Sequence, residues 1–386
     1  MAFYFISFFI LFLYMAIIIY YRQSWCEIKN YKIDHTQQES KIFISIIIAA
    51  RNEEKAIGNC LLSIKGQIYP AGAFEIILVD DHSVDATIAI AQSLKIGNLK
   101  IIHLTDITGE SKINSYKKKA IESAIDMAKG DLIITTDADC IVPPKWLETY
   151  ATFYMQKKPV FIAAPVTYTD HFPADSFFVK SLKIFQTLDF MTLQGITGAS
   201  VSKRFHNMCN GANLAYTKKV FQGVNGFDGI DNIASGDDIL LMDKIQKVYP
   251  EKIEFLKSKD VIVETRPAAT FKEFMNQRIR WASKADKYTD RKITFVLLLV
   301  YIFNAWIFIT AVASFFSNSS FYLLLFMLLL KTLVELFFLY PVAKFFNKQK
   351  LLWWFIPAQP FHIIYTIVAG WLGKFGSYTW KGRVVK

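Results

Sequence analysis

Four clusters of polar residues in this 386-residue chain have the types and spacing to do chemistry. The first is Asp137-Ala138-Asp139, directly after the apolar run LIITT. In extended backbone alternate side chains share a face, so both carboxylates can point at one site. Their hard oxygens suit Mg²⁺ or Mn²⁺, which take one or two carboxylates together with substrate phosphates. The second is DDHSVDAT, Asp80 to Thr87, at the end of EIILV. A carboxylate there can accept hydrogen bonds from a nucleobase or ribose, while Ser83 or Asp85 caps the following helix. The third is SGDDILLMDKI, in which Asp237 and Asp238 stand at the start of an apolar helical run. A carboxylate in that place serves as an N-cap or as a general base on an acceptor hydroxyl. The fourth is QRIRW, whose Gln277, Arg280 and Trp281 share one helical face. Amide, guanidinium and indole make a platform for a diphosphate and a sugar, because Arg binds phosphate with two parallel bonds. A basic amphipathic helix on a membrane surface has the same composition.

The elements that must position these residues begin with IFISIIIAA, a continuous apolar run expected of a strand buried on both faces. Asn52 is placed to cap the next helix, with Glu53 and Glu54 in its first turn. EIILV is a second strand, followed by a helix from about Val84 and a third strand over NLKIIHL. The helix through KKKAIESAIDMAK stops at Gly130, a residue suited to the left-handed position past a helix end. LIITT is the fourth strand. This alternation predicts an α/β fold with a largely parallel sheet flanked by helices. Ligands on such sheets bind at the carboxyl ends of the strands, where the first two acidic clusters fall.

Composition adds a membrane. Hydrophobic residues make up 53% of the chain and aromatics 16%. Residues 1–21 carry no charge and at 1.5 Å per residue span roughly 30 Å, a bilayer core. They lack the basic start and small-residue cleavage site of a signal peptide. The basic residues that follow predict an outside N-terminus and a cytosolic middle. A second apolar block from Ile293 to Leu330 is broken into two spans at Ser317-Asn318-Ser319-Ser320. Lys331 and Glu335, four apart on one helical face, are expected to form a structural pair inside the bundle. Residues 351–373 form a third apolar stretch with Pro357 and Pro360. If it spans, the basic tail 374–386 lies outside against the positive-inside preference, so a re-entrant or interfacial course is preferred. The net charge of +11 gathers at the membrane flanks, on Arg22, Lys29 and Lys32 and on Lys284, Lys287, Arg291 and Lys292. That placement points to anionic lipid headgroups and away from nucleic acid. Cys26, Cys60, Cys140 and Cys209 have no paired short spacing and are read as free thiols. The stretch from Ser176 to Ser200 gathers Phe177, Phe178, Phe185 and Phe190, as a core helix or as an interfacial helix leading a lipid to the site.

In order, the segments SIIIAARNEE, ILVDDHSVDAT, TTDADC, CNGANLAY, SGDD and QRIRW resemble the family 2 glycosyltransferases of GT-A fold, over roughly residues 42–285. The likeness is greatest to bacterial membrane members similar to ceramide glucosyltransferase, and extends to TWKGR around Trp380 and Arg383. It implies an N-terminal transmembrane helix (1–21), a cytosolic GT-A domain (42–285), a C-terminal membrane region (293–373) and a basic tail (374–386), in the cell inner membrane. It implies donor binding by Glu53, Asp80, Asp81, Asp137 and Asn213, with Asn210 and Gly211 lining the donor-sugar or acceptor pocket. Asp137 and Asp139 are then the ligands of Mn²⁺ or Mg²⁺. Asp238 matches the catalytic base, beside Asp237 where the family often has Glu; Ala49 stands where it often has Pro. Gln277, Arg280 and Trp281 match the acceptor and diphosphate motif. The implied activity is inverting, metal-dependent transfer from a nucleotide-sugar, a UDP-sugar, to a membrane lipid acceptor. A processive polysaccharide synthase shares the last motif, but the few spans argue against a polymer channel. A non-catalytic sugar-nucleotide-binding scaffold is opposed by the complete set of carboxylates.

Overall fold

The structure is a computed structural model that describes residues 1–34, 42–109, 113–169, 176–233, 235–376, 378–380 and 383–385. It divides into two compact units, one of residues 29–169 and 207–266, the other of residues 1–28, 170–206 and 267–386.

The first unit is built on strands β1 (Ile44–Ala50), β2 (Phe74–Asp80), β3 (Leu99–His103), β4 (Leu132–Asp137), β5 (Phe161–Ala163), β6 (Val166–Tyr168), β7 (Leu214–Thr217), β8 (Ile253–Phe255) and β9 (Val263–Thr265). Seven of them form one sheet in the order β3-β2-β1-β4-β7-β5-β8, while β6 and β9 pair separately. The strands β3, β2, β1 and β4 are parallel, and β7 runs antiparallel to both β4 and β5. The α/β expectation therefore holds, with one reversed strand inserted in the sheet.

The central strand explains its own sequence. Ile44, Ile46, Ile47 and Ile48 are at most 1% exposed, as a parallel strand covered on both faces requires. Ser45 is tolerated among them because its hydroxyl donates to Glu75 Oε1 (2.6 Å) and accepts from Gly130 N (2.8 Å). That contact also corrects the expected role of Gly130. The preceding helix Tyr116–Met127 is capped by Ala128, and Gly130 is not left-handed. Glycine is needed there because a Cβ would lie 2.6 Å from Ser45 N and 2.8 Å from Phe43 O.

Asn52 departs from expectation too. The helix after β1 runs Ile57–Lys65, too far along for Asn52 to cap. Instead Asn52 adopts a left-handed φ of 53°, and its Oδ1 accepts from Val84 N (2.9 Å) in the loop after β2. Glu54 joins the same lacing, accepting from Ala86 N (3.2 Å). The helix after β2 begins at Thr87, three residues beyond the expected Val84, and Asp85 Oδ1 accepts the Thr87 N–H (3.0 Å).

The second unit gathers the apolar helices. Among the described residues, four helices are long and apolar enough to cross a membrane: Ala2–Glu27, Arg291–Ala313, Asn318–Phe345 and Gln349–Phe375. The break at Ser317 falls where the sequence placed it, and the stretch 351–373 is helical throughout its length. Lys331 is fully buried, and its ammonium donates to Glu335 Oε1 (2.7 Å), Glu335 Oε2 (2.9 Å) and Gln359 Oε1 (2.6 Å). Gln359 Nε2 and the Tyr14 hydroxyl donate back to Glu335, so the pair is structural, as expected. The helix Phe177–Ser202 is apolar and buried over most of its length, as the core-helix reading expects. Phe177 and Phe178 are exposed at its start, whereas Phe185 and Phe190 are buried. The short strands Tyr378–Trp380 and Arg383–Val385 pair antiparallel; the side chains of Trp380 and Arg383 lie outside those described.

Candidate active site

The carboxyl edge of the parallel strands collects most of the expected residues of the first unit. At the end of β2, Asp80 and Asp81 are buried and already engaged. Asp80 accepts from Ser83 N (3.0 Å) and lies 3.1 Å from His103 Nδ1. Asp81 lies 2.9 Å from His82 Nδ1 and 3.5 Å from Arg51 Nη1. Glu53 is half-buried, and its backbone N–H donates to Thr87 Oγ1 (2.7 Å), tying the loops after β1 and β2 together.

At the end of β4 the two carboxylates do converge, but by a different route from strand alternation. Asp137 is the last strand residue, and a turn closed by Cys140 N donating to Asp137 O (3.1 Å) swings Asp139 round. Asp137, Asp139 and Cys140 offer ligand atoms that all lie within 4.8 Å of one another. Asp139 is fixed on both sides, by the Thr265 hydroxyl on Oδ2 (3.1 Å) and the Cys140 thiol on Oδ1 (3.7 Å). Burial, reinforced by Asp139 and Asp137, pushes the Cys140 thiol well above its usual range. Of these three groups, the two carboxylates carry the hard oxygens that a divalent cation such as Mn²⁺ or Mg²⁺ would take.

The reversed strand β7 brings a third piece. Leu214, its first residue, pairs with Thr135 near the end of β4, so the segment Asn210–Asn213 arrives at the same edge. Gly211 N donates to Asp238 Oδ2 (3.1 Å), and Ile239 N donates to Asp238 Oδ1 (2.8 Å). Asp238 is thus the N-cap of the helix Ile239–Val248 and is oriented from two sides. A Cβ on Gly211 would stand 3.3 Å from Asp237 Oδ2, a close approach to which the Asp237 side chain would have to yield. Asn213 does not face this edge. It is fully buried; its Oδ1 accepts from Trp146 Nε1 (2.9 Å) and the Tyr150 hydroxyl (2.9 Å). Its Nδ2 donates to Pro165 O (2.8 Å) and Val261 O (2.7 Å). All four of its hydrogen-bonding positions are spent on the protein, and its geometry is that of a brace rather than a donor contact.

Two lysines that the sequence presented only as part of a helix organise the edge. Lys117 Nζ lies 2.8 Å from Asp137 Oδ1 and 3.0 Å from Asp237 Oδ2. Burial alone would lower its pKa, but Asp137, Asp237 and Asp238 outweigh that and hold it above its ordinary value. Lys118, 1% exposed, donates to the carbonyls of Ile230 (2.6 Å), Ile233 (2.7 Å) and Ser235 (3.1 Å), and so fixes the loop that leads into Asp237. The signal for them was the triple lysine at Lys117–Lys119 on a helix whose other face is apolar. Buried cations need stated partners, and here the partners are Asp137 and Asp237 for Lys117 and three loop carbonyls for Lys118.

Gln277, Arg280 and Trp281 belong to the second unit, on the helix Phe271–Ala282. That helix opens with a capping box in which Thr270 and Glu273 bond each other's backbone.

A mostly parallel sheet with an acidic pair at its carboxyl edge is the architecture of the GT-A nucleotide-sugar-dependent enzymes. The family model described as "Glycosyl transferase family group 2" matches residues 132–372, more than half of the chain, and "Glycosyl transferase family 2" matches residues 45–205. The chain belongs to the family 2 glycosyltransferases. Among curated relatives it is 26% identical to Glycosyltransferase AglE of Haloferax volcanii over 199 residues, 51% of this chain and 59% of that one. It is 25% identical to a beta-monoglucosyldiacylglycerol synthase of Synechocystis over 250 residues, 64% of this chain and 49% of that one. The chain thus spans little more than half the length of these relatives, or less. Among solved structures, the mannosyltransferase PcManGT of Pyrobaculum calidifontis, in complex with GDP-Man and Mn²⁺, aligns with TM-score 0.57 at 17% identity, covering 96% of this chain and 97% of that one.

Proposed function

We propose that this glycosyltransferase moves a sugar from a nucleoside-diphosphate donor, a UDP-sugar, to a membrane lipid hydroxyl, with inversion at the anomeric carbon. The observation that carries the reading is the meeting of Asp137 and Asp237 on one ammonium, Lys117, with Asp238 next in the chain. The acidic pair and the helix-start pair, far apart in sequence, thereby face one volume. A lipid acceptor is supported by the relative named for diacylglycerol glucosylation and by the four apolar helices.

Asp137 and Asp139 fit a hard divalent cation, Mn²⁺ or Mg²⁺, because their carboxylate oxygens are hard donors that lie close together. Such an ion, when bound, offsets charge on the departing diphosphate. Asp80, Asp81 and Glu53 are assigned to the nucleoside. Asp238 takes the acceptor's proton: each of its oxygens accepts one backbone N–H and keeps a second lone pair. The freed acceptor oxygen bonds the anomeric carbon as that carbon's bond to the diphosphate breaks, and the electron pair leaves with the nucleoside diphosphate. A single displacement of this kind inverts the centre. Gln277, Arg280 and Trp281 are assigned, on the resemblance, to acceptor and diphosphate.

The test is purified protein in detergent with a panel of labelled UDP- and GDP-sugars, Mn²⁺, Mg²⁺ or chelator, and a lipid extract. A lipid-soluble product carrying one sugar is expected, whereas a long water-soluble polymer would favour a processive synthase. Asp238→Asn should lower transfer by about 10²-fold or more with donor affinity nearly unchanged. Turnover at the wild-type rate in that variant would remove Asp238 from the role.

A further inference from the structure

The residue between the motif positions Gln277 and Arg280 that is most deeply placed is Arg278, 4% exposed. Its guanidinium touches both of its motif neighbours. Nη1 donates to Gln277 Oε1 (3.0 Å), and Cζ sits 4.3 Å from the centroid of the Trp281 ring. On the other side its Nη2 forms an ion pair with Asp189 Oδ2 at 2.6 Å, and Cζ is 4.9 Å from the Phe274 ring. Asp189 is itself buried on the helix Phe177–Ser202, and its second oxygen accepts the hydroxyl of Tyr365 from the helix Phe355–Phe375. One turn before Asp189, Gln186 holds the entry to the motif helix, donating to Ala268 O (3.0 Å) and accepting from Ala268 N (2.9 Å).

A guanidinium is planar, always charged and carries five donors in a fixed fork. Placed against an indole, it fixes where the ring lies; bonded to an amide oxygen, it fixes which way that amide is turned. A lysine could keep the charge beside Asp189, yet it could neither share a planar fork between the two partners nor cover a ring as broadly. Phe190, adjacent to Asp189, adds a second contact to Trp281 with ring centroids 6.1 Å apart.

We propose that Arg278 is a positioning residue for transfer, anchored by Asp189 and setting Gln277 and Trp281 together. It touches no substrate itself and acts through those two side chains. The proposal rests on the reading that Trp281 and Gln277 meet the acceptor or diphosphate.

The experiment is a double-mutant cycle on the full-length protein in detergent, measuring kcat and the KM of the nucleotide-sugar. Arg278→Lys is expected to lower kcat by about tenfold or more, as a displaced positioning group does, with the donor KM within about twofold. In a Trp281→Ala background the same substitution should cause a clearly smaller further loss, because one of the two groups it acts through is gone. A wild-type kcat in Arg278→Lys overturns the proposal, and so does a full, additive loss on top of Trp281→Ala, which marks a purely structural ion pair. If Arg278→Lys does not fold, the neutral pair Asp189→Asn with Arg278→Gln replaces it in the same cycle and is read the same way. Trp281→Ala alone separates the two levels. If it transfers sugar at the wild-type rate, the role given to the motif fails; if it is impaired while Arg278→Lys is not, only the positioning role fails.

Discussion

The amide of Asn213 gives the most direct test of how the site is supported. Replacing it by alanine removes one acceptor from Trp146 Nε1 and the Tyr150 hydroxyl, and one donor from the carbonyls of Pro165 and Val261. Trp146 and Tyr150 are both fully buried, so water does not replace the lost oxygen. Burial raises the Tyr150 pKa well above its usual value, so its hydroxyl stays protonated and keeps needing an acceptor. An orphaned buried donor costs about 1–3 kcal/mol, which puts the two at about 2–6 kcal/mol before the carbonyls are counted. Against a typical total of about 5–15 kcal/mol, Asn213→Ala should unfold at a markedly lower temperature or denaturant concentration. The assay pairs an unfolding curve of the detergent-solubilised protein with equilibrium nucleotide-sugar binding at a temperature where the variant is folded. A brace predicts a large drop in midpoint with donor affinity close to wild type. An unchanged midpoint with weakened donor binding would refute the reasoning and return Asn213 to the donor pocket.

Two further outcomes follow from packing. Gly130→Ala should destabilise by about 1–3 kcal/mol, because the added methyl meets the backbone of Phe43, Ile44 and Ser45 and not a movable side chain; thermal unfolding reads it. Lys331→Met alone should cost about 3–5 kcal/mol by leaving Glu335 buried without its cation, whereas Lys331→Met with Glu335→Leu should recover most of the loss. An unfolding series on the two single variants and the double variant checks the coupling.

The fold and the site were legible in the sequence to different depths. The isoleucine run of β1, the acid-terminated strands and the Lys331–Glu335 spacing were readable because each depends on neighbours in the chain or on a single period. Asn52 and Gly130 were misread for one reason: each obeys a local capping rule in sequence but is used for a contact across the sheet unit, to Val84 and to Ser45. Asn213 stood inside a motif that looked like substrate contact, and only its four buried partners reveal the brace. Lys117, Lys118 and Arg278 did not stand out individually, for the opposite reason. A charge on an amphipathic helix is ordinarily solvated, and nothing in the spacing tells which one turns inward toward a carboxylate formed by another strand or helix.

The order in which the chain is written has a consequence for making the protein. The sheet unit comes in two pieces, 29–169 and 207–266, separated by a segment that includes the helix Phe177–Ser202 of the other unit. As the chain emerges, β4 is complete while its partner β7 has yet to be synthesised, so one edge of the site-bearing strand waits unpaired. Pairing at such sequence distance is slow to form and leaves time for wrong partners. No uninterrupted length of the gene encodes the sheet unit by itself. A fragment limited to the sheet unit therefore has to be engineered by joining residue 169 to residue 207, not obtained by trimming the ends, and it would lack Gln277, Arg280 and Trp281.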